Sequence, residues 1–324
     1  MKAITQHMYG EADVLSLEDL ETPAVGDDEV LVRVKAAGVD AGVWHLMAGK
    51  PYLLRLFGGG FRRPKVRLRG RELAGEVTAV GRKVTLFRPG DEVFGISLKG
   101  SFAEYAVAGE DRLETKPANL TFEEAAAVPV SGAAALHALR DSGHVQEGQS
   151  VLIIGAGGGV GSFAMQIATA LGAKVTAVCS AGKADFVKSL GAENVIDYRR
   201  EDFSLGDVRY DLILDIAGNS ALPRLRRVLA PEGTLVFVGG EGGGPIFGGL
   251  GRPLRALVLS LFTRQKLRSL VSAERAEDLR DLRAFIEAGK IRPVVDTVYP
   301  LADAPAAVAR WKAGRVRGKL VITP

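Results

Sequence analysis

The chain has 324 residues, more than the roughly 250–300 at which a single hydrophobic core usually stops growing, so two domains are expected. Apolar residues make up 47% and charged residues 25%, the profile of an ordinary globular protein rather than a disordered or membrane one. The most apolar runs, 151–161 and 254–261, fall far short of the roughly 18 residues of a membrane span, and a net charge of +4 suits anionic ligands without demanding nucleic acid.

The opening Met1-Lys2-Ala3-Ile4-Thr5 has no secretory apolar region or cleavage site, which points to the cytoplasm. Residues 29–36, 73–80, 92–96 and 102–108 read as short β-strands closed by turn residues. Pro89-Gly90-Asp91 is a turn, because proline presets φ and glycine accepts positive φ. Between the first and second of these strands, Phe61-Arg62-Arg63-Pro64-Lys65-Val66-Arg67-Leu68-Arg69-Gly70-Arg71 concentrates positive residues. It reads as a solvated loop, as a basic rim for an anionic cofactor or substrate, or as a nucleic-acid contact.

After Glu123 the pattern changes. Helix formers at 125–128 and 133–140 lead into strand candidates at 151–154, 174–178, 194–196, 211–215 and 234–238, with helix-length stretches at 162–171 and 184–190. Such alternation implies right-handed βαβ units and a parallel sheet covered on both faces. Residues 267–271 supply a sixth strand, 273–288 a returning amphipathic helix, and 294–299 and 319–322 two closing strands; 239–244 is expected to be a mobile glycine loop. The fold class is therefore α/β, with a β domain built from both chain ends, residues 1–123 and 273–324, and a doubly wound dinucleotide-binding domain inserted at 124–272. The single cysteine, Cys179, excludes an intramolecular disulfide and a cysteine-rich zinc site, and is read as inert packing.

Val151-Leu152-Ile153-Ile154 runs into Gly155-Ala156-Gly157-Gly158-Gly159-Val160-Gly161 and then an apolar helix. The strict GxGxxG spacing is absent, but GxxGxxG fits on Gly155, Gly158 and Gly161. Positions without side chains let the backbone approach a pyrophosphate, and the helix N-terminus, at Gly159, Val160 and Gly161, offers unsatisfied N–H groups. About 20 positions on, where an NAD-preferring fold holds the ribose with an acidic residue, stand Cys179 and Ser180, followed by Lys183. A neutral donor beside a cation suits the 2′-phosphate of NADPH.

The glycine turn, Gly148-Gln149-Ser150-Val151-Leu152 before it and Gln166 after it resemble quinone oxidoreductases of the medium-chain dehydrogenase/reductase superfamily. Gly38-Val39-Asp40, Gly70-Arg71-Glu72-Leu73-Ala74-Gly75, Pro89-Gly90-Asp91-Glu92-Val93-Phe94-Gly95, Leu190-Gly191-Ala192 and Gly318-Lys319 extend the resemblance over essentially the whole chain. It implies a GroES-like β-barrel domain, an inserted Rossmann domain with an active-site cleft between them, and a homodimer joined along the Rossmann sheet edge. It further implies that Lys183, Tyr198 and Arg315 flank the 2′-phosphate and that Val238, Gly239 and Gly240 hold the nicotinamide carboxamide.

Relatives that use zinc bind it with a Cys-His-Cys or similar set; the corresponding positions here are Asp40 and the Arg71-Glu72 pair, so no zinc is expected. Without a Lewis acid, reduction of a quinone, enone or related conjugated carbonyl by NADPH is favoured over alcohol dehydrogenation. His45 and Tyr52 are candidate hydrogen-bond partners of the substrate carbonyl, while His7, His137 and His144 read as structural or solvated. Asp40 stands where relatives carry Asn, near the nicotinamide, and Ala134 where many carry Thr, with Ser131 as a nearby replacement hydroxyl. Two other functions fit the basic segment: an enoyl-thioester reductase with an anionic carrier, and a nucleotide-dependent RNA-binding or sensor protein. The second lacks interleaved aromatics, since only Phe57 and Phe61 neighbour the run, so nucleic acid is disfavoured as a partner.

Overall fold

The computed structural model describes residues 1–53, 55, 60–239, 251–260 and 262–324. The chain opens with an antiparallel ribbon of β1 (Lys2–Gln6) and β2 (Leu15–Asp19). Strand β3 (Glu29–Val39) runs straight into helix α1 (Ala41–Ala48): the Asp40 carboxylate accepts from Val43 N at 3.2 Å, and Gly49, at φ +59°, ends the helix. Strands β4 (Glu72–Val80), β5 (Glu92–Ile96), β6 (Tyr105–Gly109) and β7 (Leu113–Thr115) follow, with Gly90 at φ +96° in the turn between β4 and β5. A capping box then starts α2 (Phe122–Ala126): Thr121 Oγ1 accepts from Glu124 N, and the Glu124 carboxylate accepts from Thr121 N. Helix α3 (Pro129–His137) continues as a π-helical turn, Ala138–Gly143.

Strands and helices then alternate. The series is β8 (Ser150–Ile154), α4 (Gly159–Ala170), β9 (Lys174–Cys179), α5 (Ala184–Ser189), β10 (Asn194–Asp197), β11 (Tyr210–Asp215), α6 (Leu222–Val228), β12 (Leu229–Phe237), α7 (Gly251–Ser260) and β13 (Lys266–Ser269). The chain closes with α8 (Ala276–Glu287), β14 (Val295–Pro300), α9 (Ala304–Lys312) and β15 (Lys319–Thr323).

The chain divides into two units. The first comprises Met1–Ala133, Ala273–Gly289 and Pro293–Pro324, and its main sheet runs β14-β15-β3-β4-β5-β7, with β6 also paired to β3. All these pairs are antiparallel except β14 with β15. Val32, Leu73, Val93, Phe102, Met47 and Leu320 are among the buried side chains of its core. This unit runs on to Ala133 rather than stopping at residue 123, because Ala125 and Ala126 of α2 are buried and Val130 N donates to the Glu72 carboxylate at 2.8 Å.

The second unit, Ala134–Ser272 with Lys290–Arg292, holds a six-stranded sheet in the order β10-β9-β8-β11-β12-β13, parallel throughout. Gln166 on α4 explains the stray segment: it donates to Arg292 O at 3.0 Å and accepts from Arg292 N at 2.8 Å. Strand order reverses between β8 and β11, so the carboxyl end of β8 is the switch point at which such sheets bind ligands. Of the glycine loop expected at 239–244, only Gly239 lies within the described residues. Among the described residues no helix is long and apolar enough to cross a membrane.

Candidate functional site

At the switch point β8 gives way to Gly155, whose φ of +92° is accessible to glycine at little cost. A Cβ on Gly161 would lie 2.4 Å from Gly155 O and 2.6 Å from Ala156 O, both backbone atoms that cannot swing aside. Glycine at 155 and 161 is therefore what closes the turn. Gly158 caps α4 without a side-chain acceptor, so the first-turn N–H groups of Gly159, Val160 and Gly161 are available to an anion at the positive end of a 12-residue helix.

Lys183 lies across this turn. Its Nζ donates to Gly157 O at 3.3 Å, and a Cβ on Gly157 would meet Lys183 Cδ at 2.5 Å, so glycine at 157 makes room for the lysine stem. Ser180 opens the 3-10 turn Ala181–Lys183 directly after β9, and the exposed Tyr198 follows β10. Because β9 and β10 are parallel neighbours, Ser180, Lys183 and Tyr198 all follow the carboxyl ends of adjacent strands. Cys179 is buried there, and burial, with Asp197 across the strand pair, pushes its thiol up, away from the reactive thiolate. Beyond β12 the amides of Val238 and Gly239 both donate to Asp215 O at 3.1 Å, and a Cβ on Gly239 would sit 1.9 Å from Ile216 O. Gly240 lies outside the described residues.

In the first unit, the residues at the zinc-ligand positions form a buried ion network. Glu72 is fully buried; it accepts from Lys319 Nζ and from Val130 N. Burial pushes its carboxyl up to about 7, while Lys319 opposes the shift and Asp40 adds to it. Arg71 pairs with Glu274 at 3.0 Å; burial pulls its guanidinium down, but Asp40, Glu274 and Glu72 together hold it above its ordinary value. Asp40 Oδ1 caps α1, and Oδ2 is buried with no hydrogen-bond partner among the described residues. Two cations, Arg71 and Lys319, thus stand among these carboxylates, a donor set that does not fit the nitrogen and sulfur ligands a zinc ion requires. Among the described residues no group of three or more His, Cys, Asp or Glu side chains is placed to hold a metal.

A cavity of about 510 Å³ opens beside α1, and every described residue lining it belongs to the first unit. Val43, Leu46, Pro64, Val66, Leu68 and Leu98 give it apolar walls. His45 lines it and donates from Nδ1 to Lys50 O at 2.8 Å; that bond leaves Nε2 as an acceptor in the neutral ring. Tyr52 is not among the described lining residues. It is exposed, with the Arg55 guanidinium 4.7 Å from its ring centre, and Tyr9 stands in the cavity wall instead.

Residues 26–118 match the alcohol dehydrogenase GroES-like domain family, and residues 190–322 the family described as zinc-binding dehydrogenase. Quinone oxidoreductase of Sus scrofa is 33% identical over 323 residues, spanning 95% of this chain and 92% of that protein. The 2-methylene-furan-3-one reductase of Solanum lycopersicum is 32% identical, spanning 100% of this chain and 79% of that protein. Escherichia coli quinone oxidoreductase, solved in complex with NADPH, superposes with a TM-score of 0.87 at 26% identity, over 100% of both chains. The chain belongs to the quinone oxidoreductase branch of the medium-chain dehydrogenase/reductase superfamily.

Within this quinone oxidoreductase-type chain the expected site residues fall into two sets. Gly155, Gly158, Gly159, Val160, Gly161, Ser180, Lys183, Tyr198, Val238 and Gly239 lie in the Rossmann-type unit, after the carboxyl ends of β8, β9, β10 and β12. Asp40, His45, Tyr52, Ser131 and Arg315 lie in the GroES-like unit; Ser131 is buried on α3, and Arg315 is exposed on the loop before β15. His7 pairs with Glu18 at 2.8 Å at the surface, His137 bonds Ser272 Oγ at 3.0 Å, and His144 bonds Arg140 O at 3.1 Å. The partners of Glu72 and Arg71, namely Lys319 and Glu274, carried no local signal, since Glu72 and Lys319 are 247 positions apart. Most of the basic run 61–71 is exposed, but Arg69 is only 4% exposed and lines the cavity.

Proposed function

We propose that the chain reduces quinones, enones or related conjugated carbonyl compounds with NADPH, without zinc. The observation that carries this reading is the Asp40–Arg71–Glu72–Lys319 ion network, which is not a zinc donor set, in a quinone oxidoreductase-type chain whose helix α4 opens on N–H groups with no side-chain cap. With no Lewis acid to hold an alkoxide, the acceptor must already be polarised by conjugation. When bound, NADPH supplies a hydride that, with one solvent proton, turns an enone into a saturated ketone or a quinone into a hydroquinone.

In this reading the N–H groups of Gly159, Val160 and Gly161 hold the pyrophosphate, and Ser180, Lys183 and Tyr198 take the 2′-phosphate, with Arg315 as a further cation. With the amides of Val238 and Gly239 held by Asp215 O, the backbone carbonyls there are the groups offered to the carboxamide, and Asp40 Oδ2 is the acceptor left for a ribose hydroxyl. The Lys50 carbonyl fixes the tautomer of His45: the neutral ring cannot donate to a substrate carbonyl from Nε2, so it polarises an acceptor only when protonated. The same reading includes a homodimer joined along an edge of the Rossmann sheet.

The test is loss of nicotinamide absorbance with benzoquinone, phenanthrenequinone and a short alkenal, each with NADPH, with NADH and with added chelator. Turnover that favours NADPH and ignores the chelator is the expected result. Purified protein that binds NADPH but reduces none of the three would remove the acceptor assignment, and chelator-sensitive turnover would remove the zinc-free one.

A further inference from the structure

The cavity beside α1 is apolar on most of its wall, yet among the described residues four cations line it: Arg55, Lys65, Arg69 and Arg71. Three of them are accounted for. Arg71 is paired with Glu274 at 3.0 Å. The Arg55 guanidinium donates to Gly49 O and Ala48 O and stacks 4.2 Å from the centre of the Tyr9 ring. Lys65 is exposed to water.

Arg69 is different. It is 4% exposed, and among the described residues its side chain makes one hydrogen bond, from Nε to Arg67 O at 3.4 Å, and pairs with no carboxylate. Its backbone is fixed, donating to Ile4 O at 3.0 Å and accepting from Ser101 N and Phe102 N at 2.9 Å. Burial lowers its guanidinium to about 10, so it keeps its charge at neutral pH. A guanidinium carries five N–H donors, and a desolvated one is costly until an anion meets it. An arginine in such a place, walled by Pro64, Val66 and Leu68, suits a ligand with an apolar body and one planar anionic group.

We propose that this cavity takes a conjugated carbonyl acceptor that carries its own carboxylate, and that Arg69 selects it. The proposal rests on the reductase reading for the word acceptor, but the anion site itself does not. The step remains the balanced one: hydride and one proton add across the conjugated double bond, NADPH is oxidised to NADP+, and the carboxylate is unchanged. Arg69 is then a specificity-determining residue.

Trans-acetylacrylic acid and its methyl ester share a carbon skeleton and differ in charge, so the ratio of their kcat/KM values within one variant isolates the contribution of the anion. In the unsubstituted chain the ratio should favour the acid. Arg69→Met, which keeps the length of the stem, should lower that ratio tenfold or more through KM for the acid, and Arg69→Lys should restore part of it. An equal loss for acid and ester, or an unchanged ratio, would overturn the proposal. Calorimetric titration with levulinate, the saturated product, reads the anion site without turnover. Binding that disappears in Arg69→Met but survives in Arg69→Lys supports the site even if neither acceptor is reduced, in which case the reductase reading alone fails. Levulinate binding that is absent, or equal in all three proteins, removes the anion site.

Discussion

Lys183 shows how one side chain combines packing and charge. Its stem crosses the glycine turn over Gly157, and its ammonium ends near Gly157 O at 3.3 Å, at the edge where β9 and β10 finish. A 2′-phosphate there would gain a charge-assisted hydrogen bond of about 1.5–3 kcal/mol, roughly tenfold or more in affinity. Lys183→Met keeps most of the stem and removes the charge. The ratio of kcat/KM with NADPH to that with NADH should fall about tenfold in this variant, and an equal loss with both cofactors would show that Lys183 only props the turn. The glycines themselves were legible because strand, turn and helix are local. The reason for glycine at 157 was not, since it depends on a lysine 26 positions away.

At the scale of elements, Glu72 at the start of β4 and Lys319 at the start of β15 form a fully buried pair whose partners come from opposite ends of the chain. Glu72 ionises at about 7 in the fold against an ordinary 4.5, because burial disfavours its charge more than Lys319 favours it. Between those values the folded chain holds a proton that the unfolded chain has released. The stability this group contributes is complete below about 4.5 and is lost as pH rises through about 7, on the order of 3 kcal/mol. Denaturant unfolding of the unsubstituted chain and of Glu72→Gln should therefore diverge across that window, with the unsubstituted chain losing stability relative to the variant. Parallel curves would show that Glu72 is not the group that titrates. No such pair is visible in the sequence, where Glu72 and Lys319 were landmarks without a shared role. Strands β3, β4, β5 and β8 to β12 were legible, because each is an alternating or continuous apolar run. The ribbon strand β2 was not, since most of it is exposed, and α1, bounded by Asp40 and Gly49, was read as site positions rather than as a capped helix. Helix α9 begins with a proline in its first turn and is short, so its periodicity is weak.

On the scale of the whole molecule, the unit that takes both chain ends and the unit inserted between them have separate sheets and separate cores. A ligand that binds only the native state adds about 2.7 kcal/mol at 100 times its dissociation constant, and that gain appears first where the ligand orders the backbone. The turn at 155–161 has its first-turn N–H groups open and the 3-10 turn Ala181–Lys183 has no side-chain cap, so both should exchange amide hydrogens readily in the free chain. Saturating NADPH should slow exchange in peptides covering 155–161, 180–183 and 238–239, and NADH at the same concentration should do so less at 180–183 than at 155–161. That contrast follows from chemistry: the pyrophosphate is common to both cofactors, whereas only NADPH carries the 2′-phosphate that the proposed function assigns to Ser180 and Lys183. Equal protection at 180–183 by the two cofactors would remove the preference for NADPH and leave the glycine turn as a general dinucleotide cradle. Protection absent from 155–161 with either cofactor would remove the cradle itself.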